Sequence, residues 1–243
     1  MSAHVRARKL LRGARPIILV SAVVASLAGG SAVAEAATKT PIAATQDLVT
    51  LLAPQRPHAQ PSARAKTLSL VPARTPITGE RTTLPVLGAY GTWLLVRLPG
   101  RPNGHTGWIH EHATTPSVTA WHLVVDTTTR RVTVYHAAKV VRVIAAVVGK
   151  PATPTPPGDY FVEESISLNS TAVGAPFALA LSARSNVLQD FDGGPGQIAL
   201  HGLDNVGGTP GTAASHGCIR LENTQIRWLA GRIGAGTPVT ITT

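Results

Sequence analysis

The apolar residues of this chain fall into short runs separated by glycine, proline and polar residues. Runs of about four to eight such residues, bounded by turn residues, are typical of β-strands. They predict strands at Leu48–Leu52, Thr67–Val71, Thr83–Leu87, Trp93–Leu98, Gly107–Ile109, Leu123–Asp126, Arg131–Tyr135, Val140–Val148, Tyr160–Glu163, Gln197–Leu200 and Pro238–Ile241. The pattern therefore predicts a mainly β protein.

One stretch near the end follows a helical period instead. Apolar residues between positions 226 and 233 recur at i, i+3, i+4 and i+7, which is typical of an amphipathic helix. Asn223 is predicted to cap its start, and Gly234 to end it. Residues 164–196 show no strong period, so we predict connecting structure there, with a substrate-facing lid as the alternative.

The first 36 residues have the pattern of an export signal. A basic stretch ends at Arg15, an apolar run follows from Ile17 to Ala28, and small residues at positions 32–36 offer cleavage sites. This predicts a secretory signal peptide over residues 1–36. The alternative is an uncleaved membrane anchor, which Gly29 and Gly30 weaken. In either case we expect the remainder to lie outside the cytoplasm, at the cell wall or secreted.

Residues 37–64 and 65–115, which follow the predicted signal, differ in composition. Residues 37–64 are rich in alanine, threonine, glutamine and proline, which predicts a semi-extended linker. Residues 65–115 alternate short apolar runs with turns and resemble a bacterial SH3-like domain, with Trp93 and Trp108 in two of its strands. Large aromatic side chains usually pack, so we expect both tryptophans in the core of a small barrel. The alternative is that they line a wall-binding groove.

The net charge of +10 changes this picture little. Residues 1–36 carry five of the basic residues and one acidic residue, so part of the charge belongs to the predicted signal. The remaining positive charge suits either an anionic cell envelope or nucleic acid. The chain has no interleaving of aromatic and basic residues and no nucleic-acid-binding motif, so we expect no nucleic-acid partner.

The chemistry is concentrated around the only cysteine. Cys218 follows Ser215, His216 and Gly217, and His201 lies 17 residues upstream. A lone cysteine has no partner for an intramolecular disulfide, and a nearby imidazole suits a Cys/His acyl-transfer site. A zinc site formed by the two histidines and Cys218 is the chemical rival, but no zinc-motif spacing supports it. No Gly-x-Ser-x-Gly motif indicates a serine hydrolase. We expect no metal and no organic cofactor.

The segment HGLDNVGGTPGTAASHGCIRL, residues 201–221, resembles the signature of the L,D-transpeptidase (YkuD-type) catalytic domain of bacterial cell-wall enzymes. The proline-dense run at residues 149–158 is a second match. The resemblance covers about residues 118–243. It implies a small SH3-like barrel followed by a β-sandwich L,D-transpeptidase catalytic domain with one short helix.

The resemblance assigns Cys218 as the nucleophile and His201 as the general base, with His216 in a supporting role. A lowered thiol pKa is expected, from an imidazole or from amide dipoles. The Gly202 carbonyl is expected to orient the imidazole of His201, and the Asp204 carboxylate is the competing candidate.

Three further residues complete the predicted site. The amides of Gly217 and Cys218 form the predicted oxyanion hole, where a Cβ at position 217 would crowd the incoming carbonyl. Ser215 is expected at the substrate-binding site as a hydrogen-bonding scaffold. Arg220 is expected to bind a substrate carboxylate, with a surface salt bridge as the alternative.

The resemblance also implies the reaction. An exported peptidoglycan L,D-transpeptidase forms 3→3 cross-links between donor and acceptor stem peptides through a cysteine thioester, and carbapenems are expected to inhibit it covalently. With water or a protein amine as acceptor, the enzyme would be an L,D-carboxypeptidase or would attach proteins to the wall. The alternative from another class is a catalytically idle cell-wall-binding protein. Membrane association is expected only if the N-terminal segment is retained.

Overall fold

Five strands in the first part of the chain form one antiparallel sheet. The structure is a computed structural model that describes residues 41–190 and 193–243. The strands are β1 (Gln46–Leu51), β2 (Thr83–Tyr90), β3 (Trp93–Arg97), β4 (Thr106–His110) and β5 (Thr114–Thr119). Their order across the sheet is β4-β3-β2-β1-β5. Pro116 lies in β5, an edge strand, where a missing backbone donor is tolerated.

The second part of the chain contributes ten strands and the single described helix. The strands are β6 (Trp121–Asp126), β7 (Arg131–His136), β8 (Lys139–Ala145), β9 (Val148–Gly149), β10 (Gly158–Ser167), β11 (Phe177–Arg184), β12 (Gln197–His201), β13 (Ala213–Ser215), β14 (Ile219–Arg220) and β15 (Pro238–Thr242). Helix α1 spans Asn223–Ala230. Eight of these strands form a mixed sheet in the order β14-β12-β11-β10-β15-β6-β7-β8, and β13 pairs with β9. The sheet curls around a core that includes Leu123, Val162, Leu181 and Leu200, and α1 buries Ile226 and Leu229 in it.

The two sheets pack together within one compact unit, residues 41–243. Phe161 belongs to β10, yet it is 1% exposed in the core of the five-stranded sheet. The backbone N–H and the hydroxyl of Thr78 both donate to one carboxylate oxygen of the buried Glu164, each at 2.9 Å. The Asn103 amide exchanges two hydrogen bonds with the backbone of Arg184 at the end of β11. These contacts tie the first sheet to the second at three places.

The mainly β class with one short helix is confirmed, and several details of the prediction are wrong. Thr67–Val71 forms only isolated bridges, and the predicted strand Val140–Val148 divides into β8 and the start of β9. The stretch predicted as connecting structure contains β11 as a central strand. That strand is buried at six of its eight positions, so it lacks the polar alternation that marks a half-exposed strand.

Both tryptophans of the first sheet lie outside its core. The core contains Val96 and Ile109 with Leu94 packed against it, and neither Trp93 nor Trp108 belongs to it. The expectation that both tryptophans fill a barrel core is therefore wrong. The SH3-like barrel, the β-sandwich and the four domain boundaries stay predictions, although β1 does form inside the segment 37–64. The predicted signal, residues 1–36, lies outside the described residues. Within the described ranges, no helix is long and apolar enough to cross a membrane.

Candidate active site

Two neighbouring parallel strands carry the predicted base and the residue that follows the predicted nucleophile. β12 and β14 pair so that Leu200 lies opposite Ile219 and His201 lies opposite Arg220. Paired residues on adjacent strands point to the same face, and every second residue returns to that face. Extended by one residue beyond Leu200 and Ile219, this register would place Cys218 opposite Ala199, on the face of His201. The Ala199 backbone does hydrogen-bond to the thiol of Cys218.

The thiol lies in a desolvating environment. Cys218 is half-buried, and its Sγ lies 3.9 Å from the Gln197 carbonyl oxygen. Burial raises the pKa of the Cys218 thiol, while the hydrogen bond from Ala199 and the Arg220 cation oppose that rise. The expected lowering of the pKa is therefore wrong for the resting structure. A thiol of this kind needs a base to remove its proton before it can attack.

The imidazole of His201 is held in one orientation by its neighbour. Its Nδ1 lies 2.8 Å from the Gly202 carbonyl oxygen, so Nδ1 carries the hydrogen and Nε2 is left as the acceptor. Burial lowers the pKa of His201, the Gly202 carbonyl opposes this, and the Arg220 cation lowers it further. The ring is therefore neutral over more of the pH range than an exposed histidine, which is the state a general base requires.

The competing candidate for orienting the ring is occupied elsewhere. One carboxylate oxygen of Asp204 accepts a 2.6 Å hydrogen bond from the Asn223 amide, and the Asn223 side-chain oxygen accepts from the Leu203 N–H at 2.9 Å. Asn223 therefore fixes the turn after His201. The predicted capping role of Asn223 is wrong, because Glu222 is the N-cap residue and makes no side-chain cap bond.

Two glycines leave room for this arrangement. A Cβ at Gly174, whose φ is +81°, would collide with the imidazole Nδ1 of His201. A Cβ at Gly202 would collide with the Ala175 carbonyl oxygen. The loop before β11 therefore packs directly against the His201–Gly202 turn and supports the ring from one side. No recognisable motif marked Gly174 in the sequence.

The loop that carries Cys218 is closed by the hydroxyl of Ser215. This hydroxyl donates to the Cys218 carbonyl at 2.6 Å and accepts from the Gly217 N–H at 3.1 Å. Ser215 is fully buried, so it serves the loop itself. Gly217 has a φ of +123°, and a Cβ there would lie 3.0 Å from Ile198. Backbone conformation and packing therefore both favour glycine at this position.

The proline-dense loop 151–157 supports the same segment from behind. Thr153 donates its hydroxyl to the Ser215 carbonyl at 3.2 Å, and Thr155 donates to the Gly217 carbonyl at 2.8 Å. The Gly149 N–H donates to the Thr155 hydroxyl at 2.9 Å. These threonines were absent from the predicted site residues. Their signal was the run Thr-Pro-Thr-Pro, because proline fixes the backbone between two hydroxyl donors.

Of the remaining predicted residues, His216 is exposed and Arg220 is partly buried. The His216 Nε2 lies 3.4 Å from the Lys150 Nζ. Arg220 directs Nη1 at the carbonyl oxygens of Val206 and Gly207, at 3.4 and 3.2 Å, and its buried Nε has no partner among the described residues. Arg220 therefore contacts the backbone of the glycine loop, and the described ion pairs do not include it. Among residues 41–190 and 193–243, no group of three or more His, Cys, Asp or Glu side chains is placed to hold a metal ion.

The second part of this chain is similar in sequence to known proteins. Residues 120–241 match the family model of the L,D-transpeptidase catalytic domain, YkuD. A curated relative, "Probable L,D-transpeptidase 3" of Mycobacterium tuberculosis, is 29% identical over an alignment of 114 residues, and the alignment covers 41% of this chain and 38% of that protein. The match thus spans little more than a third of the relative's length.

Solved structures with a related fold were also found. An L,D-transpeptidase from Mycobacterium smegmatis is 21% identical, with 65% of this chain and 97% of that chain covered at a TM-score of 0.39. L,D-transpeptidase 3 from Mycobacterium tuberculosis, in complex with a faropenem-derived adduct, is 16% identical. The match covers 65% of this chain and 97% of that chain, with a TM-score of 0.42. The Enterococcus faecium catalytic domain acylated by ertapenem is 23% identical, and the match covers 50% of this chain and 96% of that chain, with a TM-score of 0.39. The assignment rests on the family model, which matches half of the 243 residues: this chain belongs to the L,D-transpeptidase (YkuD) family.

Proposed function

We propose that this protein is an exported peptidoglycan L,D-transpeptidase that works through a thioester on Cys218. The observation that carries the proposal is the pairing of β12, which ends in His201, with β14, which begins directly after Cys218, together with the bond between Nδ1 of the imidazole and the Gly202 carbonyl. That bond leaves Nε2 as the proton acceptor of the ring, and we infer that Nε2 faces the thiol. Family membership supports the reaction class.

The proposed first half-reaction transfers an acyl group to sulfur. His201 Nε2 takes the Cys218 proton, and the sulfur attacks the carbonyl of the third residue of the donor stem. As the C–N bond to the terminal D-alanine breaks, the imidazolium returns its proton to the leaving amine. The thioester then forms with no net change in protons.

The second half-reaction reverses the roles. An amine of an acceptor stem attacks the thioester, His201 removes a proton from it, and the released thiolate recovers that proton. The product is a 3→3 cross-link. Water in place of the amine would make the protein an L,D-carboxypeptidase, and a protein amine would attach that protein to the wall.

The surrounding contacts refine the proposed residue roles. Because the Gly217 N–H is bound to the Ser215 hydroxyl, we assign the main oxyanion donor to the Cys218 amide, with Gly217 joining only if that bond opens. Ser215 acts as scaffold and makes no contact with substrate. Arg220 stabilises the thiolate by its charge and remains the proposed carboxylate ligand, while His216 keeps its supporting role beside Lys150.

Covalent inhibition by carbapenems is part of the same proposal. The E. faecium catalytic domain that this chain resembles has been solved acylated by ertapenem. A β-lactam carbonyl would accept the same attack by Cys218 and leave a ring-opened adduct on sulfur. Intact-mass spectrometry after exposure to ertapenem should show one added inhibitor mass on the wild type and none on Cys218→Ala.

The decisive experiment is intact-mass spectrometry with a purified disaccharide-tetrapeptide, using the wild type and Cys218→Ala. We expect an acyl adduct of the tripeptide mass on the wild type alone, together with released D-alanine. A cross-linked dimer among the products identifies a transpeptidase, whereas free tripeptide alone identifies a carboxypeptidase. A folded wild type with a free thiol that gives neither adduct nor turnover overturns the proposal and favours an idle wall-binding protein.

A further inference from the structure

A row of aromatic side chains crosses the five-stranded sheet. In the pairing of β2, β3 and β4, Tyr90 lies opposite Trp93, and Trp93 lies opposite His110. Residues directly opposite on neighbouring strands share a face of the sheet. His58 and His112 lie at the flanks of this set. We refer to these five residues as the aromatic row.

Four rings of the aromatic row, those of His58, Trp93, His110 and His112, form a chain of contacts. The Trp93 and His110 ring centroids are 4.1 Å apart at an angle of 37°, and His58 meets Trp93 edge-on at 5.1 Å. His110 and His112 are 5.0 Å apart. Mutual contact restricts the side chains before any ligand arrives, so less conformational entropy is lost when one binds.

The aromatic row lies on the outer face of its sheet. Leu94, Val96 and Ile109 alternate with Trp93 and His110 along β3 and β4, and these apolar residues pack in or against the core. Side chains alternate between faces along a strand, so the aromatic residues point away from that core. Tyr90 is 67% exposed. The outer face therefore exposes the Tyr90 ring, and the Trp93 ring beside it is partly exposed.

The composition of the aromatic row indicates the kind of partner. None of its side chains carries a permanent charge, whereas the carboxylates of a stem peptide, the phosphates of a nucleic acid and an anionic bilayer all call for lysine or arginine. Tyrosine, tryptophan and histidine combine a flat apolar ring with a polar tip. A pyranose ring is complementary, because it has a face of C–H bonds and an edge of hydroxyl groups.

We propose that the aromatic row is a saccharide-binding surface that takes a neutral glycan strand of N-acetylhexosamine units, with sugar rings stacked on Trp93 and Tyr90. The imidazoles and the tyrosine hydroxyl hydrogen-bond to hydroxyl and acetamido groups. The choice of N-acetylhexosamine rests on the proposed function, since the stem peptides that Cys218 would attack are carried on such a glycan. The stacking surface itself follows from the ring contacts and the strand register.

The test measures binding without catalysis. The full chain carrying Cys218→Ala is titrated with a hexasaccharide of β-1,4-linked N-acetylglucosamine, and binding is measured by calorimetry and by tryptophan fluorescence. We expect saturable binding that weakens about tenfold or more in a second variant that adds Trp93→Ala. Trp93→Phe should keep most of the affinity, because it keeps a ring at that position.

Matched variants keep the outcome clear. Ile77→Ala removes another exposed apolar side chain, 61% exposed and outside the aromatic row, and should bind like the parent. Tyr90→Ala alters a side chain exposed enough to spare folding, and should weaken binding by about threefold if Trp93→Ala fails to fold.

Several results would overturn the proposal. The first is that the folded parent does not bind the hexasaccharide. The second is that the parent and both ring-removing variants bind it equally. The third is that the protein binds only to phosphatidylglycerol vesicles, which would indicate a membrane surface instead. None of these depends on acyl transfer. If the hexasaccharide does not bind but the wild type still forms an acyl adduct on Cys218, this proposal fails and the proposed function stands. If the hexasaccharide binds but no adduct forms, the proposed function fails and this proposal stands.

Discussion

The two sheets place their polar and aromatic side chains in opposite ways. Around Cys218 the side chains of Ser215, Thr153 and Thr155 turn inward and bind backbone carbonyls of the catalytic loop. In the five-stranded sheet, Trp93 and Tyr90 lie on the face away from the core. The first arrangement suits chemistry, which needs atoms held still, and the second suits contact with an extended surface.

This contrast shows that strand alternation alone does not tell which face carries function. In both sheets every second residue faces the core. Buried hydroxyls at the candidate site hold a loop in one conformation, whereas the rings on the outer face of the other sheet are partly or largely exposed. The sheets nevertheless meet, because Phe161 of β10 lies in the core of the five-stranded sheet.

The largest expected effect separates chemistry from the rest of the molecule. We expect Cys218→Ala to abolish acyl transfer and His201→Ala to slow it by about 10²–10⁴-fold, because the thiol then lacks its base. Both should leave binding of the N-acetylglucosamine hexasaccharide unchanged. The measurement is the rate of adduct formation by mass spectrometry. A His201→Ala protein that reacts within tenfold of the wild type would contradict the assigned base.

The next effect tests whether the two sheets unfold as one. Phe161→Ala should lower the free energy of unfolding by about 3–5 kcal/mol, because it leaves a cavity where both parts of the chain pack. Urea denaturation followed by fluorescence and by far-ultraviolet circular dichroism should show one shared transition in the wild type. Two separate transitions, with Phe161→Ala affecting only one, would mean that the sheets are independent.

A smaller effect is expected from the support behind the base. Gly174→Ala should reduce the acylation rate by about tenfold or more and cost about 1–3 kcal/mol of stability, because the new methyl group collides with the His201 ring. Gly234→Ala is the matched control, since a Cβ at Gly234 meets nothing within 4 Å. If both variants acylate at the same rate, the loop at Gly174 does not position His201.

The smallest effect is a dependence of stability on pH. The pKa of His201 in the folded protein lies below its ordinary value of 6.5. As the pH falls, the unfolded chain therefore binds a proton at His201 before the folded chain does. The stability gained from the neutral ring is thus present above about pH 6.5 and is lost as pH falls below it. The melting temperature of the wild type should fall more steeply than that of His201→Gln between pH 7 and pH 5. Parallel curves would contradict the burial of the ring.

The residue types at the candidate site were predictable, and most of their contacts were not. The order His201, Gly202, Ser215 to Cys218 was visible because the only cysteine stands in a distinctive motif. Of the two candidate partners for the His201 ring, the Gly202 carbonyl lies 2.8 Å from Nδ1, whereas the Asp204 carboxylate binds Asn223. The direction of the thiol pKa was wrong, since burial depends on packing that no local pattern reveals.

The sequence by itself determined the mainly β class, the amphipathic helix near the end of the described residues and the family to which the chain belongs, because these depend on local periodicity and on the order of residues along the chain. Only the tertiary structure decided that β11 is a buried central strand, that Gly174 supports His201, and that Trp93 faces away from its core. The physical reason is that these features arise from contacts between segments far apart in the chain. Small side chains such as glycine and alanine leave no periodic signal of what packs against them.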